Sequence, residues 1–253
     1  MGKWNWLYQV IRWLVWFFYP DIEVVGKENL PDEPAIIVGN HSQMNGPIAC
    51  ELYPPRKSYT WCAAQMMHWK EVPEYAFSDF WSRKPRYTHW FYKLLSYIIT
   101  PISVSVFNNA NTIAVYHDTR IISTFKNTVK RLQEGEDVII FPEQDVPHNA
   151  VVCRFQDKFI DVAKLYYKRT GKCLSFVPMY IAPRLKKMYL GKPISYDPDI
   201  PIQHQRKEIC DYLMEQITAI ACELPKHTVV PYRNIPRRLY SSNKECTYEK
   251  TGG

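Results

Sequence analysis

The chain has 253 residues, 46% of them hydrophobic and 15% aromatic, with 8 Trp and 18 Tyr, enough to bury the core of one large domain or two small ones. Its net charge of +7 fits a solvated basic surface, an anionic membrane surface or an anionic cofactor. No RNP-like, zinc-finger or helix-turn-helix pattern is present, so nucleic acid is set aside as a partner. The seven cysteines are scattered, odd in number and without a Cys-x-x-Cys pair. They predict reduced thiols in a cytosolic setting, with neither a disulfide framework nor a metal site.

The N-terminal "WNWLYQVIRWLVWFFYP" has no small-residue cleavage site and carries Arg12 in its middle, so it is not read as a secretory signal. Trp4 to Tyr19 is about 16 residues, roughly 24 Å of helix, short of the ~30 Å hydrocarbon core. Its Trp and Tyr residues suit the headgroup level. An amphipathic helix lying in the membrane interface fits residues 1–20; the plainer reading is a helix packed on the domain.

After Pro20, Ile22 to Val25 reads as a short strand, Gly26 to Pro34 as a turn, and Ala35 to Val38 as a buried strand. "KSYTWCAA" reads as the next strand. Met66 to Thr100 reads as helical and rich in aromatics, with Lys70, Arg83, Lys84, Arg86 and Lys93 interleaved. It is either a second lipid-facing surface or ordinary core. "PISVSVF" predicts a strand over Ile102 to Phe107. Apolar positions Ile121, Ile122, Phe125, Val129 and Leu132 recur at helical spacing between Thr119 and Glu134, with Gly135 as the C′ residue. "DVIIF" is a buried strand. A helix from about Gln156 to Arg169 stops at Gly171. "LSFVPMYI" is a strand with "KMYLGKPI" after it, and His204 to Leu224 is the last helix. Residues 226–253 form a basic, Pro-rich tail that turns polar after Tyr240.

Strands alternating with helices predict an α/β fold with a mixed, mostly parallel sheet, here over residues 21–225. Ligands of such sheets sit beyond the strand ends. Two ends carry reactive side chains: His41 after Ala35–Val38, and Glu143 with Asp145 after Val138–Phe141.

Four segments, taken in order, resemble the glycerolipid acyltransferases typified by 1-acylglycerol-3-phosphate acyltransferase. They are "VVGKENLP", "NHSQMNGP", "EGEDVIIFPEQD", and "FVPMYI" followed by "GKPI". The resemblance spans roughly Ile22 to Pro193. It implies that His41 is the general base of an acyl transfer and that Asn40, Pro142, Glu143 and Gln144 line the substrate site. It implies acyl-CoA or acyl carrier protein as co-substrate and no cofactor. Histidine suits the task because its ordinary pKa is about 6.5. The sequence departs from the family at Gly46, where the motif has Asp, and at Gln144, where it has Gly. Pro147 and His148 stand where the family often has Arg. Phe107 and Asn108 stand where an Arg grips the substrate phosphate, and Arg120, Arg154 or Lys158 are the candidates to replace that charge.

A base without an orienting carboxylate is weak. Asp145 and Glu143 are the nearest candidate substitutes by motif geometry, Asp145 being the freer because Glu143 matches a family residue that contacts the acceptor. Asn45 is a neutral alternative, and Gly46→Asp is expected to rescue Asp145→Asn in part. The reading is thus a peripheral enzyme at the cytoplasmic face of the membrane. It would move a fatty acyl group to a lysophospholipid or a related hydroxyl or amine acceptor. The alternatives are a degenerate acyltransferase that binds lipid without turnover, a membrane-surface scaffold, and a thioesterase-like hydrolase.

Overall fold

The computed structural model describes residues 5–82 and 84–245. Trp4, Arg83, Cys246 and the end of the tail lie outside them. In chain order the main elements begin with α1 (Asn5–Phe18), β1 (Glu23–Val25), β2 (Ile36–Gly39), α2 (Asn45–Leu52) and β3 (Ser58–Ala63). Then come α3 (Val72–Ala76), α4 (His89–Asn109), β4 (Thr112–Val115), α5 (Ile121–Gln133) and β5 (Asp137–Ile140). They are followed by β6 (Glu143–Pro147), β7 (Cys153–Phe155), α6 (Asp161–Thr170), β8 (Ser175–Ala182), β9 (Lys187–Leu190), β10 (Ile194–Ser195) and α7 (Ile202–Glu223). The chain divides into two compact units, one of residues 1–20 with 60–124 and one of residues 21–59 with 125–253.

The second unit is α/β. Its strands run in the order β1-β9-β8-β2-β5, with β10 on β8. The β1–β9, β8–β2 and β2–β5 pairs are parallel, while β8–β9 and β8–β10 are antiparallel. The sheet is therefore mixed, with its central strands parallel, as expected. Ile36, Ile37, Val38, Val138, Ile139, Phe176 and Val177 are fully buried. A parallel strand covered on both faces reads as an unbroken apolar run, which is why these three strands are plain in the sequence. Helix α7 packs on β8. Gly135 and Gly171 end α5 and α6 with φ of +84° and +71°, the left-handed geometry that glycine adopts without steric cost.

The end of this sheet opposite the site is held by an ion pair between a buried carboxylate and a partly exposed guanidinium. Asp137 accepts the Ala35 N–H at 2.8 Å and two bonds from Arg56, at 2.8 and 2.6 Å. Arg56 also donates to the carbonyls of Pro31 and Glu33, so the carboxylate and the guanidinium are both well supplied with partners.

The first unit is mostly helical. Helices α1 and α3 pack on α4, with Val72, Ala76 and Val104 as its small core. The pair β3–β4 is parallel and starts at Thr60 and Thr112. The strand expected over Ile102 to Phe107 is instead the last part of α4. The Ser/Val alternation imitates a strand, but Ser96, Thr100 and Ser103 are buried at helical spacing. Their hydroxyls are satisfied inside: Ser96 donates to Lys93 O, Thr100 to Ser96 O and Ser103 to Met66 O. Pro101 lies within α4. It removes one ladder donor, yet the helix runs through it because its buried face continues on both sides.

Helix α1 buries Tyr8 and leaves Trp6, Trp13 and Phe17 exposed by 63%, 57% and 63%. The stretch Arg86–Asn109 is long and apolar enough to cross a membrane by length and composition. Cys50, Cys62, Cys153, Cys173 and Cys210 are free thiols, whereas Cys222 is disulfide-bonded, which departs from the expectation of reduced cysteines throughout.

Candidate active site

The site is built by the register of two adjacent parallel strands. β2 and β5 pair Ile36 with Val138 and Val38 with Ile140. The same 102-residue offset continues past the strand ends and brings the His41 N–H to Glu143 Oε2 at 2.6 Å. The other oxygen of Glu143 accepts the Cys153 N–H at 2.8 Å. Glu143 is thus a buried carboxylate whose two oxygens each hold one main-chain amide, from the His41 loop and from β7. Burial pushes its pKa up to about 7, against the two N–H bonds that pull it down.

On the other side of β2, Asn40 ties the loop to β8. It is buried, its Oδ1 accepts the Ile181 N–H at 2.7 Å, and its Nδ2 donates to Ile181 O at 3.2 Å and Ser42 Oγ at 2.8 Å. Asn40 and Glu143 together fix the backbone on both flanks of His41.

The ring of His41 is oriented by a main-chain carbonyl. Nδ1 makes a short contact with the carbonyl oxygen of Gln43. A carbonyl only accepts, so the proton of the neutral ring sits on Nδ1 and the lone pair is on Nε2. Burial lowers the pKa of His41 below 6.5, partly offset by the bond to Gln43. The ring is therefore in its free-base form at neutral pH. Phe141 and Tyr232 pack edge-on against it, with centroids at 5.3 and 5.6 Å.

The carboxylate expected to orient this ring, Asp145, goes elsewhere. Arg233 Nε donates to Asp145 Oδ1 and its Nη2 donates to the Asp145 carbonyl, so the ion pair with the tail claims it. The Nδ2 of Asn45 donates to Ser42 O at 2.9 Å. Pro142 is buried beside Glu143, and its carbonyl accepts the Gln156 N–H at 2.8 Å; Gln144 follows in β6, partly buried. Arg154 is exposed on β7, and Lys158 is exposed in the turn before α6. Arg120 lies in the first unit, bonded to Asp118 through Nε and Nη2 and stacked on Tyr116. Three residues now stand out that the sequence did not single out: Gln43, Tyr232 and Arg233. The one signal for Tyr232 and Arg233 was the cluster of Tyr, Arg and Pro in the tail; Gln43 lies inside the Asn-His segment.

Gly46 has a steric reason. A Cβ there would sit 2.6 Å from the His41 carbonyl, 3.0 Å from Phe141 Cε1 and 3.1 Å from the Asn40 carbonyl. The glycine lets the first turn of α2 close on the loop, where the Gly46 N–H donates to His41 O at 3.0 Å. The expected rescue by Gly46→Asp is therefore withdrawn. Overpacking of this kind costs about 1–3 kcal/mol. Gly46→Asp should lower the melting temperature by a few degrees and give no gain in turnover; a more active, equally stable variant would mean that the loop has room to rearrange.

No family model matches the sequence, and no curated protein matches it. Among solved structures, the chain is similar to the crystal structure of the 1-acyl-sn-glycerophosphate (LPA) acyltransferase PlsC from Thermotoga maritima. That likeness has a TM-score of 0.45 at 16% identity and covers 88% of this chain and 83% of that one.

Proposed function

We propose that the protein is a membrane-associated acyltransferase that moves a fatty acyl group from an acyl thioester, on coenzyme A or acyl carrier protein, to a lysophospholipid or a related hydroxyl or amine acceptor. The observation that carries this reading is the neutral His41 beyond the end of β2, its Nδ1 held by a carbonyl and its Nε2 left as a base, within the Asn-His segment that resembles the family motif. Nε2 takes the proton of the acceptor as the acceptor oxygen or nitrogen attacks the thioester carbon. The C–S bond then breaks, and the thiolate recovers that proton from the imidazolium. A substrate-binding role for Gln144, Arg154 or Lys158 belongs to this proposal.

The test is release of free thiol from an acyl thioester, read with a thiol-reactive dye. Acceptor-dependent release is the expected result. Acceptor-independent release would point to a hydrolase. No release would favour a lipid-binding protein without turnover, a reading supported by the pairing of Asp145 with Arg233 rather than with the catalytic ring.

Membrane association is supported by the exposed aromatic face of α1 and by the exposed Trp90, Leu94 and Tyr97 of α4. Burying such a side chain fully is worth roughly 1.5–3 kcal/mol. Replacing both Trp13 and Phe17 by Ser should weaken binding to phospholipid vesicles at least tenfold in a co-sedimentation assay. Unchanged binding would place the anchor on α4.

A further inference from the structure

We infer that the tail segment from Val230 to Tyr240 is part of the active centre, and that Gln43 is the positioning residue through which it holds His41. The inference rests on the acyltransferase reading for its consequence in turnover, but not for its geometry.

The starting point is the backbone of the His41 loop. Ser42 and Gln43 both have left-handed conformations, with φ of 47° and 55°. Side chains crowd the following carbonyl there, and two such residues in succession are unusual outside glycine. Local bonds account for the flanks of the turn: the Gly46 N–H caps His41 O, and Asn45 caps Ser42 O. The next carbonyl, that of Gln43, is the one that receives the imidazole proton.

What fixes Gln43 comes from the other end of the chain. Its Nε2 donates to Arg233 O at 3.1 Å and to the Tyr240 hydroxyl at 2.9 Å. Ser42 Oγ donates to Val230 O at 3.3 Å. The tail also supplies Tyr232 against the His41 ring and Arg233 to Asp145. The tail is itself well held. Its two ends are joined by the Thr228–Ser242 bridge and by the Val229 N–H on Ser241 O at 2.9 Å. Asn243, fully buried, then anchors it to the end of α7 through Ala221 O at 2.7 Å. A loop whose ends are closed in this way is a compact surface loop of the kind that often carries function. Its inward contacts fall on the turn that orients the base. The role that a motif carboxylate would play at position 46 is thus taken by a carbonyl, and the tail keeps that carbonyl aimed.

The experiment compares Gln43→Met, which keeps length and loses both donors, with Tyr240→Phe and the double variant in the full-length protein. Two readouts are used: thioester turnover, and 15N NMR of the histidine side chains, with His41 assigned from the His41→Ala spectrum. In the wild type, the His41 signal should report the Nδ1–H tautomer. Gln43→Met should shift it toward the Nε2–H tautomer and lower kcat at least tenfold, with the other histidine signals unmoved. Tyr240→Phe should do the same more weakly, about threefold in kcat. Because Tyr240 acts on the ring only through its bond with Gln43, which Gln43→Met already removes, the double variant should equal Gln43→Met alone. An unchanged tautomer in Gln43→Met, or losses that multiply in the double variant, would overturn the inference. If Gln43→Met does not fold, Tyr240→Phe carries the same spectroscopic test. If the wild type turns over no thioester, the acyltransferase reading falls, while the tautomer still decides the role of the tail.

Discussion

Replacing His41 by alanine is expected to lower acyl transfer by about 10²–10⁴, the range for loss of a general base, while leaving the far-UV circular dichroism unchanged. The fold should survive because the bonds that tie this residue to β6 and α2 are made by its backbone. The N–H is held by Glu143 and the carbonyl by Gly46, and alanine keeps both. What is lost is the ring. The pH profile of the wild type should carry its signature. Burial lowers the pKa of His41, so turnover should fall as pH drops through a midpoint below 6.5, the ordinary histidine value. The same shift has a sign for stability. The folded ring binds its proton less readily than the unfolded one, so its contribution is fully present above 6.5 and is lost as pH falls toward the lower folded pKa. In His41→Ala that acid-side loss should disappear together with the activity. Turnover that survives the substitution would end the mechanism proposed for this site.

The parts of the site that were legible in the sequence are those fixed by the sheet. The runs Ile36–Val38 and Val138–Ile140 announce buried parallel strands, and parallel neighbours in register must bring their next residues together. That placed His41 and Glu143 at strand ends; that the two ends are neighbours was implied by the family resemblance, and the β2–β5 pairing supplies it here. What could not be read was set by contacts between distant segments. The carbonyl that orients His41 depends on left-handed backbone at Ser42 and Gln43, two residues with no propensity for it, held there by a tail 190 residues away. Asp145 looked available because nothing near it in sequence could claim it. Its partner Arg233 lies 88 residues on. The hairpin of β6 and β7 was missed for a related reason. Its register shifts between Glu143 and Pro147, and a polar, Pro-ended strand lacks the alternation that marks a half-buried one. The error over Ile102–Phe107 was of another kind, a period of two mistaken for a strand where buried serines and a threonine lined one face of a helix.

Glu143→Gln should be the second costly substitution, and by a different route. A carboxylate can accept at both oxygens. An amide can accept at one only, so either the His41 N–H or the Cys153 N–H would be left facing an NH₂ group. Leaving a buried donor unsatisfied costs about 1–3 kcal/mol, which at this size is several degrees of melting temperature. The wild-type group has a pH signature as well. Its folded pKa of about 7 stands above the ordinary carboxyl value of 4.5. The favourable contribution is therefore present below the ordinary value and is lost as pH rises through about 7. Glu143→Gln should remove that dependence and leave a flatter profile between those limits. Turnover should fall too, because the amide that faces Glu143 is that of His41, the proposed base, and a misplacement of about 1 Å can cost 10²-fold. The expected pattern is a joint fall in kcat and melting temperature with the acceptor KM unchanged. That pattern separates a carboxylate that positions the base from one that grips the acceptor, as the family resemblance implies. A raised acceptor KM at unchanged stability would show that Glu143 acts on the substrate and that some other contact holds the His41 backbone in place.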